Sequence, residues 1–478
     1  MRPRLPHRSR HRAPRTSITW KALALMTLGS VGYLGSAPAS AVYGLASVFL
    51  YVLPAFVFLI PVSLVAAELA SGWEGGVYNW VREGVSAPMG LLAVWCEFAQ
   101  TIFYYPALLA FVASTLAYVI DPGLAGNGVY NAVIIIVLFW LSVLITSRGV
   151  TVVAELSSSG TVIGTLVPGA LLVVFGVAYL LQGNHSAAPM TVRHLLPQWS
   201  GLASIVLIVN SFFTYAGIEV NAVHVDEMQN PSRDYPKSIF LAMALVLAVF
   251  ILPTLAISWA IPSQQISFTA GVMQAFSSLL GHFGVAFGVP VLAVALVVGA
   301  LAGMMAWLDG PSEGLLRIGR EQGFLPPFFQ KVNRQGIEVR ILAAQGTVIT
   351  VIALLYAFIP SVSHAYWIFA VMATQVYLIM YVLMFIAAFR LRRSQPDHGR
   401  GYRVPALGLQ CLVGTVSSVA ALVIGFVLPS QFGHSSALGY AAAILAGILV
   451  IGIIPPLLMD RLRKPGWKAA GTGPAPEA

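Results

Sequence analysis

The stretch NSFFTYAGIEVNAVHVDEMQN, Asn210–Asn230, places a carboxylate beside a glycine inside an apolar run. Glu219 follows Gly217 by two residues, at a depth where the neighbouring side chains are mostly apolar. An ionisable side chain inside a membrane costs free energy, so residues of this kind are rare there and serve a function by default. The stretch therefore predicts a membrane helix that is interrupted here to hold a small charged solute.

The composition of the whole chain is that of a membrane protein. Of its 478 residues, 58% are hydrophobic and 9% are charged, whereas an ordinary soluble domain has about 25% charged residues. Apolar runs long enough to cross a bilayer recur along the chain. Cys96 and Cys411 both lie in such runs, which argues against a disulfide scaffold or a Cys-based metal site. The sequence thus predicts an all-α polytopic membrane protein without a cofactor.

Twelve membrane spans are predicted, with a transporter domain over residues 18–460. Their approximate ranges are 18–40, 45–70, 89–120, 129–147, 160–181, 200–224, 237–261, 284–308, 340–360, 365–390, 404–428 and 436–459. The inner loop 309–339 is predicted to form short amphipathic helices, and the outer loop near 263–280 to contain a lid segment. Residues 1–17 are predicted to be a disordered basic tail, and residues 461–478 a short second tail.

The charges are distributed as the positive-inside rule requires. With the N-terminus in the cytoplasm, 25 of the 26 Lys and Arg residues fall on the cytoplasmic side, and Arg193 is the exception. The net charge of +9 therefore reflects topology, and no nucleic-acid partner is expected. The prediction is a multi-pass protein of the cell (inner or plasma) membrane with both termini in the cytoplasm. A cleavable signal peptide ending near Ala39-Ser40-Ala41 is the alternative for the N-terminal region.

Two predicted spans contain glycine where a continuous helix disfavours it. Span 1 carries GSVGYLGSAP, Gly29–Pro38, and span 6 carries YAGIEVNA; glycine within a helix costs about 1 kcal/mol per residue. Spans five apart that are both interrupted predict inverted repeats, here residues 18–181 and 200–390, with 404–459 as two further spans. Glycines that merely allow close helix packing are the alternative. The candidate solute-binding residues are Gly29, Ser30, Gly32, Tyr33, Gly35, Ser36, Tyr215, Ala216, Gly217 and Glu219.

Glu97 and Glu219 are the carboxylates nearest to mid-span, and both are candidates for carrying a proton. A structural, hydrogen-bonded carboxyl is the alternative for either. Tyr377 and Tyr381 in span 10 share one helix face and could line a cavity, although aromatic side chains in apolar spans often serve packing. His224, at the inner end of span 6, is a candidate pH sensor or an interfacial residue.

Three segments of the sequence resemble the amino acid–polyamine–organocation superfamily. They are GGVYNWVREGVSAPMGLLAVW at 75–95, FTYAGIEVNAVHVDEMQNPSRDYPKSI at 213–239 and the LDGPSEGLLRIGREQGFLP region at 308–326. Within the superfamily the chain is similar to the glutamate/γ-aminobutyrate antiporter family. The resemblance implies the leucine-transporter-like fold and exchange of amino acids or their decarboxylation products. It also implies that the family's span 6 glycine and glutamate are Gly217 and Glu219, and that its span 10 tyrosine pair is Tyr377 and Tyr381.

The predicted function is that of a secondary active amino acid transporter working by alternating access. Span 8 has no Ser or Thr in its stretch GALAGMMAW, so a sodium-independent antiporter is expected, exchanging an amino acid for an amine or for another amino acid. Glu97 stands where the family is expected to have a neutral residue. A proton-coupled permease for neutral or cationic amino acids or polyamines, and a solute-sensing receptor that does not transport, are the alternatives. No H-E-x-x-H or G-x-S-x-G motif of an enzyme occurs. The expected partners are a small amino acid or amine and the lipid bilayer, and no oligomeric state is predicted.

Overall fold

The computed structural model describes residues 18–31, 33–148, 160, 162–359, 361–433 and 436–468. The predicted disordered tail 1–17, most of the second tail and the candidate site residue Gly32 lie outside these ranges.

The described part of the chain is helical and contains no strand. Nine of its helical stretches are long and apolar enough to cross a membrane, and two shorter apolar stretches, Val206–Ala222 and Val339–Leu355, accompany them. Helices that carry apolar side chains on all their faces must be surrounded by lipid or by other helices. The expected all-α polytopic membrane protein is confirmed, while the number of twelve spans and the inverted repeat stay predictions.

The first predicted span is interrupted. Helix α1 (Trp20–Val31) ends before Tyr33, whose backbone is extended with φ −144° and ψ 113°. A short 3-10 turn (Leu34–Ser36) then leads into α2 (Ala37–Ala41). Pro38 lies in the first turn of α2, where its missing N–H has no helical partner to lose. The predicted break within GSVGYLGSAP is confirmed.

The following helices are continuous or contain only single irregular turns. A π turn, Ala55–Leu59, joins α3 to α4, and another, Val162–Leu166, precedes α8. The helices are α3 (Ser47–Pro54), α4 (Ile60–Gly72), α5 (Gly76–Gly84), α6 (Ala87–Ile120), α7 (Gly128–Thr146) and α8 (Val167–Leu181).

The sixth predicted span is also interrupted. Helix α9 (Val209–Tyr215) ends at Ala216, which is extended, and Gly217 then adopts a left-handed conformation with φ 92°. The chain continues as a 3-10 helix, Ile218–Glu227. Glycine adopts positive φ without the steric cost that a side chain brings, so Gly217 permits the break that the sequence predicts here.

The second half of the described chain contains eight further helices. They are α10 (Pro231–Ala260), α11 (Gly271–His282), α12 (Val289–Gln322), α13 (Val339–Leu355), α14 (Val362–Ser394), α15 (Leu407–Ile424), α16 (Ala437–Gly447) and α17 (Ile454–Leu462). A π turn, Ile448–Ile453, joins α16 to α17.

The inner loop differs from its prediction in two ways. The segment PSEGLLRIGREQ is the continuation of α12 rather than a separate helix, and α12 ends at Gly323 in the left-handed conformation. The segment PPFFQKV is not helical, because two successive prolines lack the N–H groups that a helix uses. Helix α11 occupies the predicted outer loop near 263–280.

The core of the molecule lies between α6 and α14, which pack along each other and are the most buried of the long helices. At one end of this bundle, hydrogen bonds join several of the loops that carry basic residues. Asn333 donates to the Ser147 carbonyl at 2.8 Å, and Gln330 donates to the Trp467 carbonyl at 2.6 Å. These loops, which the charge rule assigns to one side of the membrane, therefore meet at one end of the bundle.

Candidate functional site

The two interrupted segments lie side by side, with the first half of each against the second half of the other. Helix α1 packs against the 3-10 helix Ile218–Glu227, while α2 packs against α9. The Asn210 amide in α9 donates to the Ser36 carbonyl at 2.8 Å and to Ser40 Oγ at 3.2 Å. Buried hydrogen bonds thus hold the interruption of the first segment against α9, the helix that leads into the second interruption.

Gly217 is fixed at its position by both backbone and neighbours. Its N–H donates to the Tyr381 hydroxyl at 2.8 Å. A Cβ added to Gly217 would lie 2.4 Å from the ring of Trp307, which is closer than van der Waals contact permits. The left-handed conformation and the approach of Trp307 therefore both require glycine here.

The Glu219 carboxylate is held by the two predicted tyrosines. Its side chain is 2% exposed, and Tyr377 donates to Oε1 and Tyr381 to Oε2, each at 2.6 Å. The two phenol rings lie on one face of α14 with centroids 4.9 Å apart. Hydrogen bonds to a carboxylate are short and strong compared with neutral ones, so this cluster fixes the side chain beside the break.

Glu97, the second candidate proton carrier, is in electrostatic range of Glu219 and of Tyr377. It lies on α6 and is only partly buried. Among the residues that the structure describes, no hydrogen bond or ion pair is formed by the Glu97 carboxylate. The two carboxylates that the sequence singles out separately therefore lie near each other in the structure.

On the side of the first segment, the ring of Tyr33 folds back over Gly35. A Cβ on Gly35 would lie 2.1 Å from the Tyr33 hydroxyl, and the ring packs edge-on against Phe111 at 5.3 Å. The Tyr33 hydroxyl is buried and has no hydrogen-bond partner in the described structure. Ser36 Oγ donates to the Tyr33 carbonyl at 3.2 Å. The Tyr33 ring therefore covers the first interruption where it meets α6.

Other predicted site residues are placed less directly. Gly29 and Ser30 lie in the last turns of α1, and the side chain of Ser30 is outside the described structure. The Tyr215 hydroxyl donates to the Tyr51 carbonyl of α3 at 2.8 Å, so its side chain serves packing between α9 and α3. Ala216 contributes the extended backbone of the break.

Three further residues of the site are not among the residues predicted from the sequence: Asn210, Trp307 and Tyr366. The Tyr366 hydroxyl donates to the Gly35 carbonyl at 3.1 Å, so α14 supports both interruptions, one through Tyr366 and the other through Tyr381. The signal for Tyr366 was present, because it precedes Tyr377 by eleven residues and shares its helix face.

The chemistry available at this site is charge recognition and hydrogen bonding. Within the described ranges, no three His, Cys, Asp or Glu side chains come together in a way that could hold a metal ion. The buried Cys96 and Cys411 are both free thiols.

Comparison with known proteins agrees with this architecture. The profile of a family described as amino acid permeases matches residues 18–453. An uncharacterized transporter of Legionella pneumophila is 34% identical over 92% of this chain and 96% of its own length. A glutamate/γ-aminobutyrate antiporter of Lactococcus lactis is 28% identical over 88% and 85% of the two chains. A probable agmatine/putrescine antiporter of the same species is 24% identical over 89% and 91%.

The family consists of transporters and not of enzymes, and its members include antiporters of amino acids and of amines. Its profile spans nearly the whole helical part of the chain, including both interrupted segments and the Glu219 cluster. The protein is therefore a membrane transporter of the amino acid permease family, within the amino acid–polyamine–organocation superfamily.

Proposed function

We propose that the protein is a sodium-independent antiporter that exchanges an amino acid for an amine or for another amino acid by alternating access. It works in the cell membrane with both termini in the cytoplasm. The observation that carries the proposal is the Glu219 cluster: a buried carboxylate, held by Tyr377 and Tyr381, directly beside a break in a membrane helix that faces a second break.

The two breaks supply the groups that an amino acid needs. At Tyr33 and Ala216 the backbone is extended, so peptide groups around these residues are not all used within helices. Such N–H and C=O groups can bind the carboxylate and the ammonium of a small zwitterion. A solute bound between the two segments would contact both halves of the proposed inverted repeat. Movement of one half against the other could then open the site to one side of the membrane and afterwards to the other.

Two features support an exchange mechanism without sodium. The stretch GALAGMMAW in α12 offers no hydroxyl for a sodium site, and hard cations prefer oxygen ligands. Relatives over most of the chain are named as antiporters. The predicted twelve spans in two inverted repeats of five, followed by two, give this mechanism its framework.

A proton-coupled permease is the second candidate, and one observation favours it. Glu97 and Glu219 lie within electrostatic range of each other inside the membrane domain, and a carboxyl in such a place can take up and release a proton during a transport cycle. In this case net uptake would follow a proton gradient and would not need a solute on the opposite side.

The experiment that tests the proposal is counterflow in proteoliposomes. Vesicles are loaded with each member of a panel of neutral, acidic and basic amino acids and their decarboxylation products, and uptake of labelled solute is followed with sodium or with N-methylglucamine outside. We expect internal solute to stimulate uptake at least fivefold, equally in both media. Uptake abolished by sodium replacement contradicts the proposal, as does uptake that an imposed pH gradient drives in empty vesicles. Binding without stimulated uptake would identify a receptor.

A further inference from the structure

We propose that Glu97 is a specificity-determining residue that binds the second ammonium group of a diamine, a group that a neutral amino acid lacks, so that one exchange partner is an organic amine with a net positive charge. The inference rests on the proposed function and names the substrate class of that same site. It follows from the unequal situations of the two carboxylates and from the aromatic walls around them.

The Glu219 carboxylate already has hydrogen-bond partners within the protein. Each of its oxygens accepts a phenol proton at 2.6 Å, and Tyr381 is itself fixed by the Gly217 N–H. The side chain is 2% exposed. Its place in the site is therefore structural as well as electrostatic, and a solute would have to displace a tyrosine to reach it.

Glu97 is in the opposite situation. It lies on α6, one of the two most buried long helices, and yet its side chain is partly exposed and no described residue pairs with it. A charged group within a membrane domain normally faces the bundle interior or a water-filled cavity and finds a partner there. The Glu97 carboxylate therefore needs a partner that the described part of the chain does not supply.

The face of α6 that carries Glu97 is directed at the interrupted segment. Tyr104 follows Glu97 by seven residues, which places it on the same face two turns along. Its ring packs edge-on against Phe213 of α9 at 5.4 Å. Glu97 is also within electrostatic range of Glu219 and of Tyr377, which places its carboxylate near the interrupted segment by a separate observation. Glu97 thus points into the candidate solute site.

The missing partner has to be a cation. No Lys or Arg occurs between Arg82 and Arg148, and none occurs between Arg193 and Arg233, so neither α6 nor α9 has its own positive charge. Two neighbouring carboxylates repel each other in a medium of low dielectric constant, and a cation between them removes the repulsion. Phenol rings such as those of Tyr377 and Tyr104 attract ammonium groups, which favours an organic amine over an inorganic ion.

The test compares Glu97→Gln with Glu97→Asp in the counterflow assay. A diamine, a neutral amino acid and an acidic amino acid compete against labelled solute in wild type and in both variants. We expect Glu97→Gln to raise the half-inhibitory concentration of the diamine at least tenfold, the loss expected of one charge-assisted contact. The value for the neutral amino acid should change less than threefold, and Glu97→Asp should recover a large part of the diamine affinity.

Glu321→Gln is the matched control, because Glu321 forms an exposed ion pair with Arg317 away from the site. It should leave all three values unchanged. Equal losses for the three solutes in Glu97→Gln, or a failure of Glu97→Asp to recover the diamine, would overturn the inference.

The same solutes are also tested by their effect on the melting temperature of the purified proteins, which requires no turnover. A wild-type protein stabilised by the diamine but inactive in counterflow would contradict the proposed function alone. A wild-type protein that the diamine neither stabilises nor inhibits would contradict the role of Glu97 as an amine ligand.

Discussion

At the scale of single residues, Gly217 shows why the break in the sixth segment is a property of the sequence. Its φ of 92° lies in the region that L-residues avoid, and the ring of Trp307 occupies the space that a side chain would need. Either cause alone would disfavour another residue. The positive φ and the contact with Trp307 together link the backbone conformation of the break to the packing of α12, the helix that carries Trp307.

We expect Gly217→Ala to destabilise the protein by about 2–5 kcal/mol, since backbone strain costs roughly 1–2 kcal/mol and overpacking roughly 1–3 kcal/mol. The melting temperature in detergent measures this change. Gly183→Ala is the control for strain alone, because Gly183 has a φ of 85° but no atom within 4 Å of an added Cβ. Equal losses of stability in the two variants would show that Trp307 does not restrict the break.

At the scale of elements, α14 and the loop after it are tied to α4 by a buried ionic cluster. The Glu68 carboxylate is 2% exposed and accepts from the Arg400 guanidinium at 2.8 Å, from the Val404 N–H at 2.8 Å and from Arg392. The Arg400 side chain is completely buried. The cluster fixes the end of the helix that carries Tyr377 and Tyr381.

We expect Glu68→Gln to lower the stability of the protein by about 3–5 kcal/mol, because it leaves two arginines near a buried site without their counter-charge. Glu83→Gln is the comparison: Glu83 forms an ion pair with Arg82 whose partners are both more than a third exposed, and such pairs contribute at most about 1 kcal/mol. Thermal unfolding of both variants measures the difference. A Glu68→Gln protein as stable as Glu83→Gln would mean that the cluster does not hold α14 to α4.

The elements also show which structural features can be predicted from local sequence. Apolar runs and glycine density predict the helices and the two breaks, because the causes lie within a few residues of their effects. The continuation of α12 through PSEGLLRIGREQ is not predicted from local sequence, since Pro311 within the helix resembles a helix start. The hydrogen bond from the Tyr215 hydroxyl to α3 joins residues 164 positions apart, so no local pattern predicts it.

At the scale of the whole molecule, the candidate site joins residues that are far apart in sequence. Tyr377 and Glu219 are 158 positions apart, and no periodicity within either helix reports that they touch. The resemblance to a known family implies that both are site residues but not that they touch, and the proximity of Glu97 to Glu219 is visible only in the packed structure. The sequence predicts which individual side chains are candidates for binding a solute or a proton. It does not predict which of them contact each other.

The central claim is that solute is exchanged across the membrane through the site at Glu219. The most direct test is trans-stimulated uptake by Glu219→Gln beside wild type, from pH 5 to pH 8, with melting temperatures as the control for folding. The amide keeps the shape of the side chain and one acceptor for a tyrosine, so the variant should fold. We predict that its exchange is reduced at least tenfold or that its pH dependence is altered. Exchange equal to that of wild type at every pH would contradict the account.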